Sequence, residues 1–269
     1  MNTKKILEEL KVAWLISKMN YRNEAELKTS FMVQVIGMVV NDAAFLFVWL
    51  FFFSAFGTIN NWSYNETIAL QGYIALTFGL AFSFGDGARY LAERVHNGIF
   101  DNLLLRPKNL YLSIVTSNMQ ISALGDVLYG LILFGIYIFV AHPSFLQIFL
   151  LLTMAIPTTL IFLNIAIICS LVAFFVPDAD KLSKNLFEVF FSPSFYPSSL
   201  YTGAIRFVFF FIIPAIAIGG VPVEIVRDVN IPMYLVIWAL GIGWTILASF
   251  LLKLAVKRYE SSNLIGARE

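Results

Sequence analysis

Four polar side chains interrupt long apolar runs of this 269-residue chain: Asn41, Asp42, Asp126 and Asn164. An ionisable group at membrane depth is costly, so Asp42 and Asp126 are candidate functional residues. A proton relay needs a series of such groups, whereas these two aspartates look isolated from each other in the sequence. Two interpretations stay open for each of them: hydrogen bonding between helices or subunits, or a role at a transport site.

Sequence motifs for hydrolytic chemistry are absent. No Gly-x-x-x-x-Gly-Lys-Ser/Thr run occurs, so the chain has no P-loop for a nucleotide. It also lacks His-Glu-x-x-His and Gly-x-Ser-x-Gly, and it has a single cysteine, Cys169, and two histidines, His96 and His142. We therefore expect no catalytic residue, no metal site and no cofactor bound by this chain, which is not predicted to be an enzyme.

The composition is that of a membrane protein. Hydrophobic residues make up 59% of the chain and charged residues 13%, with a mean hydropathy of +0.80. A soluble domain has about 25% charged residues. The net charge of +1 lacks the basic excess of a nucleic-acid binder, so no nucleic-acid partner is expected. These values predict a polytopic membrane protein.

Apolar runs long enough to cross a membrane predict an all-α fold with six transmembrane helices. A spanning helix needs about 20 mostly apolar residues. The predicted spans are 31–56, 67–84, 121–140, 145–176, 182–198 and 233–252. They form a single transmembrane domain over residues 29–252. Residues 204–221 are also apolar but contain Arg206, Pro214 and Pro222, so they are either a seventh span or a re-entrant element.

The placement of basic residues favours six spans. Lys and Arg concentrate in the cytoplasmic loops of membrane proteins. With six spans and both termini in the cytoplasm, only Arg206 and Arg227 of the 18 Lys and Arg residues lie outside. A seventh span would put the basic tail, residues 253–269, on the outer side. We therefore predict an extracellular re-entrant element over residues 200–230.

The first 28 residues predict an amphipathic helix rather than a signal peptide. They contain no compact apolar run with a small-residue cleavage site. Apolar residues recur at helical spacing, including Trp14, and lysines and glutamates take the other side. This pattern is typical of a helix lying on the inner leaflet, in contact with lipids. Packing of the same helix against its own protein is the alternative.

The segment between the second and third predicted spans has two contrasting faces. Apolar and polar residues alternate between opposite helical stripes: Leu91, Val95, Ile99 and Leu103 against Arg89, Glu93, Asn97 and Asp101. Gly98 interrupts this pattern and Pro107 ends it. We predict two short surface helices hinged near Gly98. The polar stripe could contact a soluble partner or could simply be solvated.

Two stretches of the sequence resemble a known family. The run Asn97-Gly-Ile-Phe-Asp-Asn-Leu-Leu-Leu-Arg-Pro-Lys-Asn-Leu110 resembles the G-x-(L/I/F)-(D/E)-x-x-L-L-R-P signature of ABC-2 type permeases. These are the transmembrane subunits of ATP-binding-cassette (ABC) exporters. Residues 196–201, 213–217 and 221–227 are similar to the block after the fifth span of that family. The resemblance covers residues 10–260 and is strongest to a poorly characterised subfamily of bacterial permeases.

This resemblance implies roles for particular segments. Residues 88–105 would be a cytoplasmic coupling helix that docks on an ATPase subunit, with contacts from Arg89, Glu93, Arg94, Asn97, Gly98, Asp101 and Arg106. The N-terminal helix would match the connecting helix of the family. The re-entrant element would be its outer helical pair and would contain or adjoin Pro197, Arg206, Pro214, Pro222, Glu224 and Arg227.

The function predicted on this basis is the permease subunit of an ATP-driven exporter in a prokaryotic cytoplasmic membrane. It would pair with a second permease subunit, identical or homologous, and with separate ABC ATPase subunits that carry ATP and Mg²⁺. The apolar spans favour an amphipathic or lipid-like substrate. Two alternatives from other classes are an ion-coupled secondary transporter and a non-transporting membrane anchor of a soluble complex.

Overall fold

The computed structural model describes residues 28–106, 109–177 and 179–259, together with residues 11, 12, 15, 18, 19, 21 and 22. The regular structure of this part of the chain is helical. The seven described residues before Lys28 are helical too. The rest of the predicted N-terminal helix, and most of the predicted tail, lie outside the described residues.

Within these described ranges, five helices are long and apolar enough to cross a membrane. In chain order the α-helices are α1 Lys28–Phe56, α2 Tyr64–Gly85, α3 Leu91–His96, α4 Phe100–Leu104, α5 Leu110–Val115, α6 Ala123–Ala141, α7 Phe145–Ser170, α8 Asp180–Phe191, α9 Gly203–Phe207, α10 Ala215–Ile218, α11 Gly220–Asp228 and α12 Ile231–Val256. The long ones are α1, α2, α6, α7 and α12. They correspond to five of the six predicted spans and confirm an all-α polytopic architecture.

The two ends of this helix bundle differ in charge. One end, here called the basic end, contains residues 86–106, 109–121, 171–177, 179–184 and 253–259. The other, the opposite end, contains residues 57–63, 142–144, 199–206 and 224–230. The basic end holds these cations: Arg89, Arg94, Arg106, Lys181, Lys184, Lys253, Lys257 and Arg258.

Side-chain caps fix where three of the long helices begin. Ser63 and Glu66 form a capping box at the start of α2, where the Ser63 amide donates to the Glu66 carboxylate at 2.6 Å. Ser144 and Gln147 do the same for α7. The Asn230 side chain accepts a hydrogen bond from the Met233 amide at the start of α12. These caps satisfy amides that have no partner within the helix.

The fifth predicted span, 182–198, differs from a continuous helix. Helix α8 ends at Phe191 and the chain continues as two 3₁₀ turns, Ser192–Phe195 and Ser198–Leu200. Pro193 and Pro197 lack the amide hydrogen that a longer helix would need. The segment still connects the two ends of the bundle, because Ser183 contacts Ser170 near the basic end and Asn60 donates to the Ser199 carbonyl at the opposite end.

A helical hairpin follows this segment. Helix α9 continues as one turn of π-helix, Val208–Ile212, and the chain reverses at Ile213 and Pro214 before α10 and α11 return. The descending arm lies along α12, since Ile212 shares a groove with Leu240 and Trp244. The whole of α10 is buried, and its residues Ile216 and Ala217 belong to an apolar cluster that includes Met154 near the middle of α7. The turn of the hairpin therefore lies inside the bundle.

Candidate functional site

The segment predicted to contact a soluble partner lies at the basic end and is here called the coupling segment, residues 86–106. It consists of a 3₁₀ turn, Asp86–Ala88, and the two short helices α3 and α4. Gly98 separates these helices with a φ of +68°, a left-handed conformation that suits glycine. Two short helices therefore lie on either side of Gly98.

One face of the coupling segment is buried against the bundle. Leu91, Val95 and Leu103 are buried, as their spacing predicted. Ile99 is not, with 46% of its surface exposed. The left-handed turn at Gly98 changes the helical phase, so that Phe100 takes the buried position. The Phe100 ring lies 5.3 Å from that of Phe174 and 5.0 Å from that of Tyr259.

Arg89 turns inward and joins the coupling segment to its neighbours. Its guanidinium donates to the Asp86 carboxylate at 2.6 Å and also to the Gln120 side chain. It lies 4.2 Å from the centre of the Phe82 ring. Asp86 is 2% exposed and accepts a further hydrogen bond from Asn118 at 3.2 Å. The guanidinium of Arg89 is therefore hydrogen-bonded to other side chains of this chain. The sequence pattern did not indicate this structural role.

The remaining predicted docking residues are more accessible. Arg94 donates to the Ser117 carbonyl at 3.0 Å and is half-buried. Glu93 pairs with Lys184 across 3.4 Å, and both side chains are exposed to solvent. The Asp101 carboxylate lies beside the Tyr259 hydroxyl. Burial, and to a smaller extent this carboxylate, raises the pKa of Tyr259 to about 12. Among the predicted contact residues that the structure describes, Arg89 is therefore the one whose side chain is directed into the bundle.

The outer face of the coupling segment combines polar and apolar groups. The exposed residues there are His96, Asn97, Ile99, Asn102, Leu104, Leu105 and Arg106. Leu105 is 82% exposed. Apolar and polar side chains therefore share this accessible face. Helical periodicity did not indicate that Ile99 is exposed, because its exposure depends on the turn at Gly98.

Asp42 and Asp126, which looked isolated in the sequence, are neighbours in the structure. Their carboxyl groups lie close enough to interact, and Asn41 lines the same cavity. A close contact positions them: Gly125 of α6 packs directly on Val35 and Met38 of α1. Their proximity could not be read from the sequence, because the position of each aspartate within its own helix does not fix how the two helices pack.

This pair of carboxyl groups lies in a cavity of about 460 Å³ between α1, α2, α6 and the segment around Phe191. The wall is otherwise mainly apolar and includes Phe45, Ile74 and Phe78. Tyr129 also lines it. The cavity therefore offers one polar patch within a hydrocarbon-like surface.

Asn164 serves a contact between helices. It is fully buried in α7, accepts a hydrogen bond from the Tyr111 hydroxyl at 2.7 Å and donates to Thr245 of α12 at 2.9 Å. Both partners escaped the sequence analysis, since neither residue type marks a site by itself. This arrangement is the interhelical hydrogen bond that polar residues make in membrane bundles.

At the opposite end, two arginines hold the hairpin to the rest of the chain. Arg206 pairs with Glu224 at 2.8 Å, and Ser198 donates to the same carboxylate at 2.5 Å. Arg227 pairs with Glu66 of α2 at 3.0 Å. The predicted prolines of this region, Pro197, Pro214 and Pro222, are all buried at turns or near the start of a helix.

We expect Arg206→Gln and Glu224→Gln to lower the free energy of unfolding by similar amounts, about 1 kcal/mol or less each, because the pair is partly exposed. The double variant should cost little more than either single change, since both remove the same interaction. Thermal unfolding of the four proteins in one detergent measures this. Fully additive losses would mean that the two residues act independently.

Five membrane-length helices in the described part of the chain, with a short helical segment packed across one end, define a polytopic membrane protein. A family model described as "ABC-2 family transporter protein" matches residues 39–263. The chain belongs to this family. It is a multi-pass permease of an ABC transporter, a class that associates with ABC ATPase subunits. The chain matches no curated protein and no solved structure.

Proposed function

We propose that this chain is the permease subunit of an ATP-driven exporter, paired with a second permease subunit and with separate ATPase subunits, and that it moves an amphipathic or lipid-like substrate. The observation that carries this proposal is the coupling segment, which presents an accessible mixed face while its other face is anchored in the bundle. ATP and Mg²⁺ would bind on the ATPase, as the lack of a P-loop motif in this sequence favours. This chain would have no catalytic residue.

The proposed topology has six crossings with both termini in the cytoplasm of a prokaryotic cell. The segment from α8 to Leu200 is the fifth crossing, broken near its outer end, and the hairpin from Gly203 to Asp228 enters the membrane from outside and returns. Placing the basic end in the cytoplasm follows the positive-inside rule. Irregular backbone at membrane depth is tolerated where protein surrounds it. The turn of the hairpin is surrounded by protein in this way.

Movement of an ATPase would reach the bundle through the coupling segment. Ser170 at the end of α7 donates to the Ala88 carbonyl at 3.0 Å and contacts Ser183 of α8 at 3.1 Å. Arg89 adds the connection to Gln120, just before α6. A displacement of residues 86–106 would therefore act on several helices together, which is how a small shift becomes a rigid-body motion.

Pairing with a second permease is supported by α1. Side chains along this helix are largely exposed, among them Ile36, Phe47, Val48 and Phe51. The cavity that contains Asp42 lies beside the same helix. A second copy or homologue facing α1 would enclose a path between the two subunits, and lipid would cover the remaining apolar surface.

Charge reversal on the coupling segment tests the docking surface. We expect Glu93→Lys with Asp101→Lys to lower recovery of the ATPase with the tagged, purified chain by about tenfold, because reversed charges oppose a complementary partner. Membrane insertion should be unchanged. The measurement is the ATPase-to-permease ratio after affinity purification from cells that express both subunits.

The matched control is Asp228→Lys, a charge reversal on an exposed residue at the opposite end. It should leave recovery of the ATPase unchanged. Full recovery with the double variant would contradict the docking surface. Recovery of an ATPase whose hydrolysis never responds to substrate would instead support a membrane anchor.

A further inference from the structure

The polar patch in the cavity contains more hydrogen-bonding capacity than the chain uses. Asp126 is 3% exposed and Tyr129 is 5% exposed. Among the residues that the structure describes, one oxygen of Asp42, one oxygen of Asp126 and the Tyr129 hydroxyl are buried and have no hydrogen-bond partner. Buried polar atoms are nearly always hydrogen-bonded. All three atoms belong to residues that line one cavity, where a ligand that supplies donors would satisfy them.

The charge of the patch identifies the kind of donor. Asp42 and Asp126 share one mainly apolar site, and two carboxyl groups in such a site do not both ionise, because like charges repel at short range. The pair then carries one negative charge in a largely apolar wall. Arg89 acts electrostatically on Asp126, but its guanidinium is engaged by Asp86 and Gln120. A cationic donor group would complement the pair, whereas an anionic group would be repelled.

The apolar wall of the cavity indicates which chemical group is attached to the cation. Phe45, Ile74, Phe78 and Phe191 provide an apolar surface next to the carboxyl groups. Phe45 and Val48 are also exposed at the side of α1, so hydrocarbon could continue from the cavity along this helix. A molecule that matches both features has one positive head and an alkyl or aromatic tail.

We propose that this cavity binds cationic amphiphiles, with an ammonium head at Asp42, Asp126 and Tyr129 and an apolar tail among the phenylalanines. An ammonium supplies three donors, as many as the unpartnered atoms here. This inference rests on the proposed function and narrows its substrate class from amphipathic molecules to hydrophobic amines.

The test is equilibrium binding of radiolabelled dodecylamine to the full chain, purified in dodecylmaltoside, with protein-free micelles as the background. We expect saturable binding that is weaker by about tenfold or more in Asp42→Asn with Asp126→Asn, because a charge-assisted interaction is lost. Asp228→Asn, which removes an exposed carboxylate elsewhere, should bind like the wild type.

Competition on the wild-type chain decides the question without any variant. Unlabelled dodecylamine should displace the label, dodecanol should need about tenfold more, and dodecanoate should not compete. Equal competition by dodecanol, or unchanged binding by a folded double variant, would overturn the inference. Should that variant not fold, Tyr129→Phe is the second variant, and we expect it to bind several-fold more weakly.

Failure of this inference is distinguishable from failure of the proposed function, since binding is measured without an ATPase. A chain that recovers its ATPase but does not distinguish the amine from dodecanol refutes the amine site alone. A chain that binds the amine but never recovers an ATPase refutes the exporter proposal.

Discussion

Replacing Arg89 by Leu is expected to destabilise the protein by about 3–5 kcal/mol, which is the usual cost of removing one partner of a buried ion pair. The reason is Asp86, which is 2% exposed and would keep a charge with no cation against it. The same change removes the bond to Gln120 and the contact with the Phe82 ring. The coupling segment would lose its main polar attachment to the bundle.

Adding Asp86→Asn to Arg89→Leu should recover most of this stability. An asparagine at position 86 carries no charge and can still accept the hydrogen bond from Asn118. The measurement is thermal and denaturant unfolding of wild type, both single variants and the double variant in one detergent. A double variant no more stable than Arg89→Leu would show that burial of the charge is not what makes Arg89 necessary.

Local signals mark where two of the long helices begin, although the predicted spans were set from the apolar runs alone. Ser63 followed by Glu66, and Ser144 followed by Gln147, are capping boxes that precede apolar runs. The turn at Gly98 was predictable from the sequence, since a glycine that interrupts a helical pattern marks a turn. Each of these features depends on residues close together in the sequence.

The site residues that were misjudged depend on distant parts of the chain. Helical periodicity put Arg89 on a polar outer stripe, but the 3₁₀ turn Asp86–Ala88 comes first and directs Arg89 toward Gln120. Asp42 and Asp126 meet because Gly125 lets α6 approach α1, which no pattern within either helix reveals. Register between helices is a tertiary property.

Polar residues in this chain therefore fall into two physical classes. Asn164 has two partners on other helices, which is what a structural contact requires. The carboxyl pair, by contrast, has buried oxygens without partners. The sequence presents both as single polar residues in apolar runs, and only the count of satisfied hydrogen bonds separates a structural residue from a candidate binding residue.

Gly130→Leu is expected to abolish the folded protein, because α6 and α2 touch backbone to backbone at this position. A Cβ on Gly130 would lie 2.6 Å from the Leu76 nitrogen and 2.8 Å from the Gly72 carbonyl oxygen. Neither atom belongs to a side chain that could rotate away. Even Gly130→Ala should destabilise by about 1–3 kcal/mol, the range measured when a packed interior is overfilled.

Gly135→Ala on the same helix is the matched control and should have the opposite sign. A Cβ at Gly135 meets nothing within 4 Å, so only the backbone effect remains. Replacing glycine by alanine inside a helix stabilises it by about 0.5–1 kcal/mol. Unfolding of both alanine variants, together with size-exclusion profiles of Gly130→Leu, measures the contrast. Equal effects at positions 130 and 135 would mean that α2 and α6 are not in direct contact, and the cavity beside them would then need a different wall.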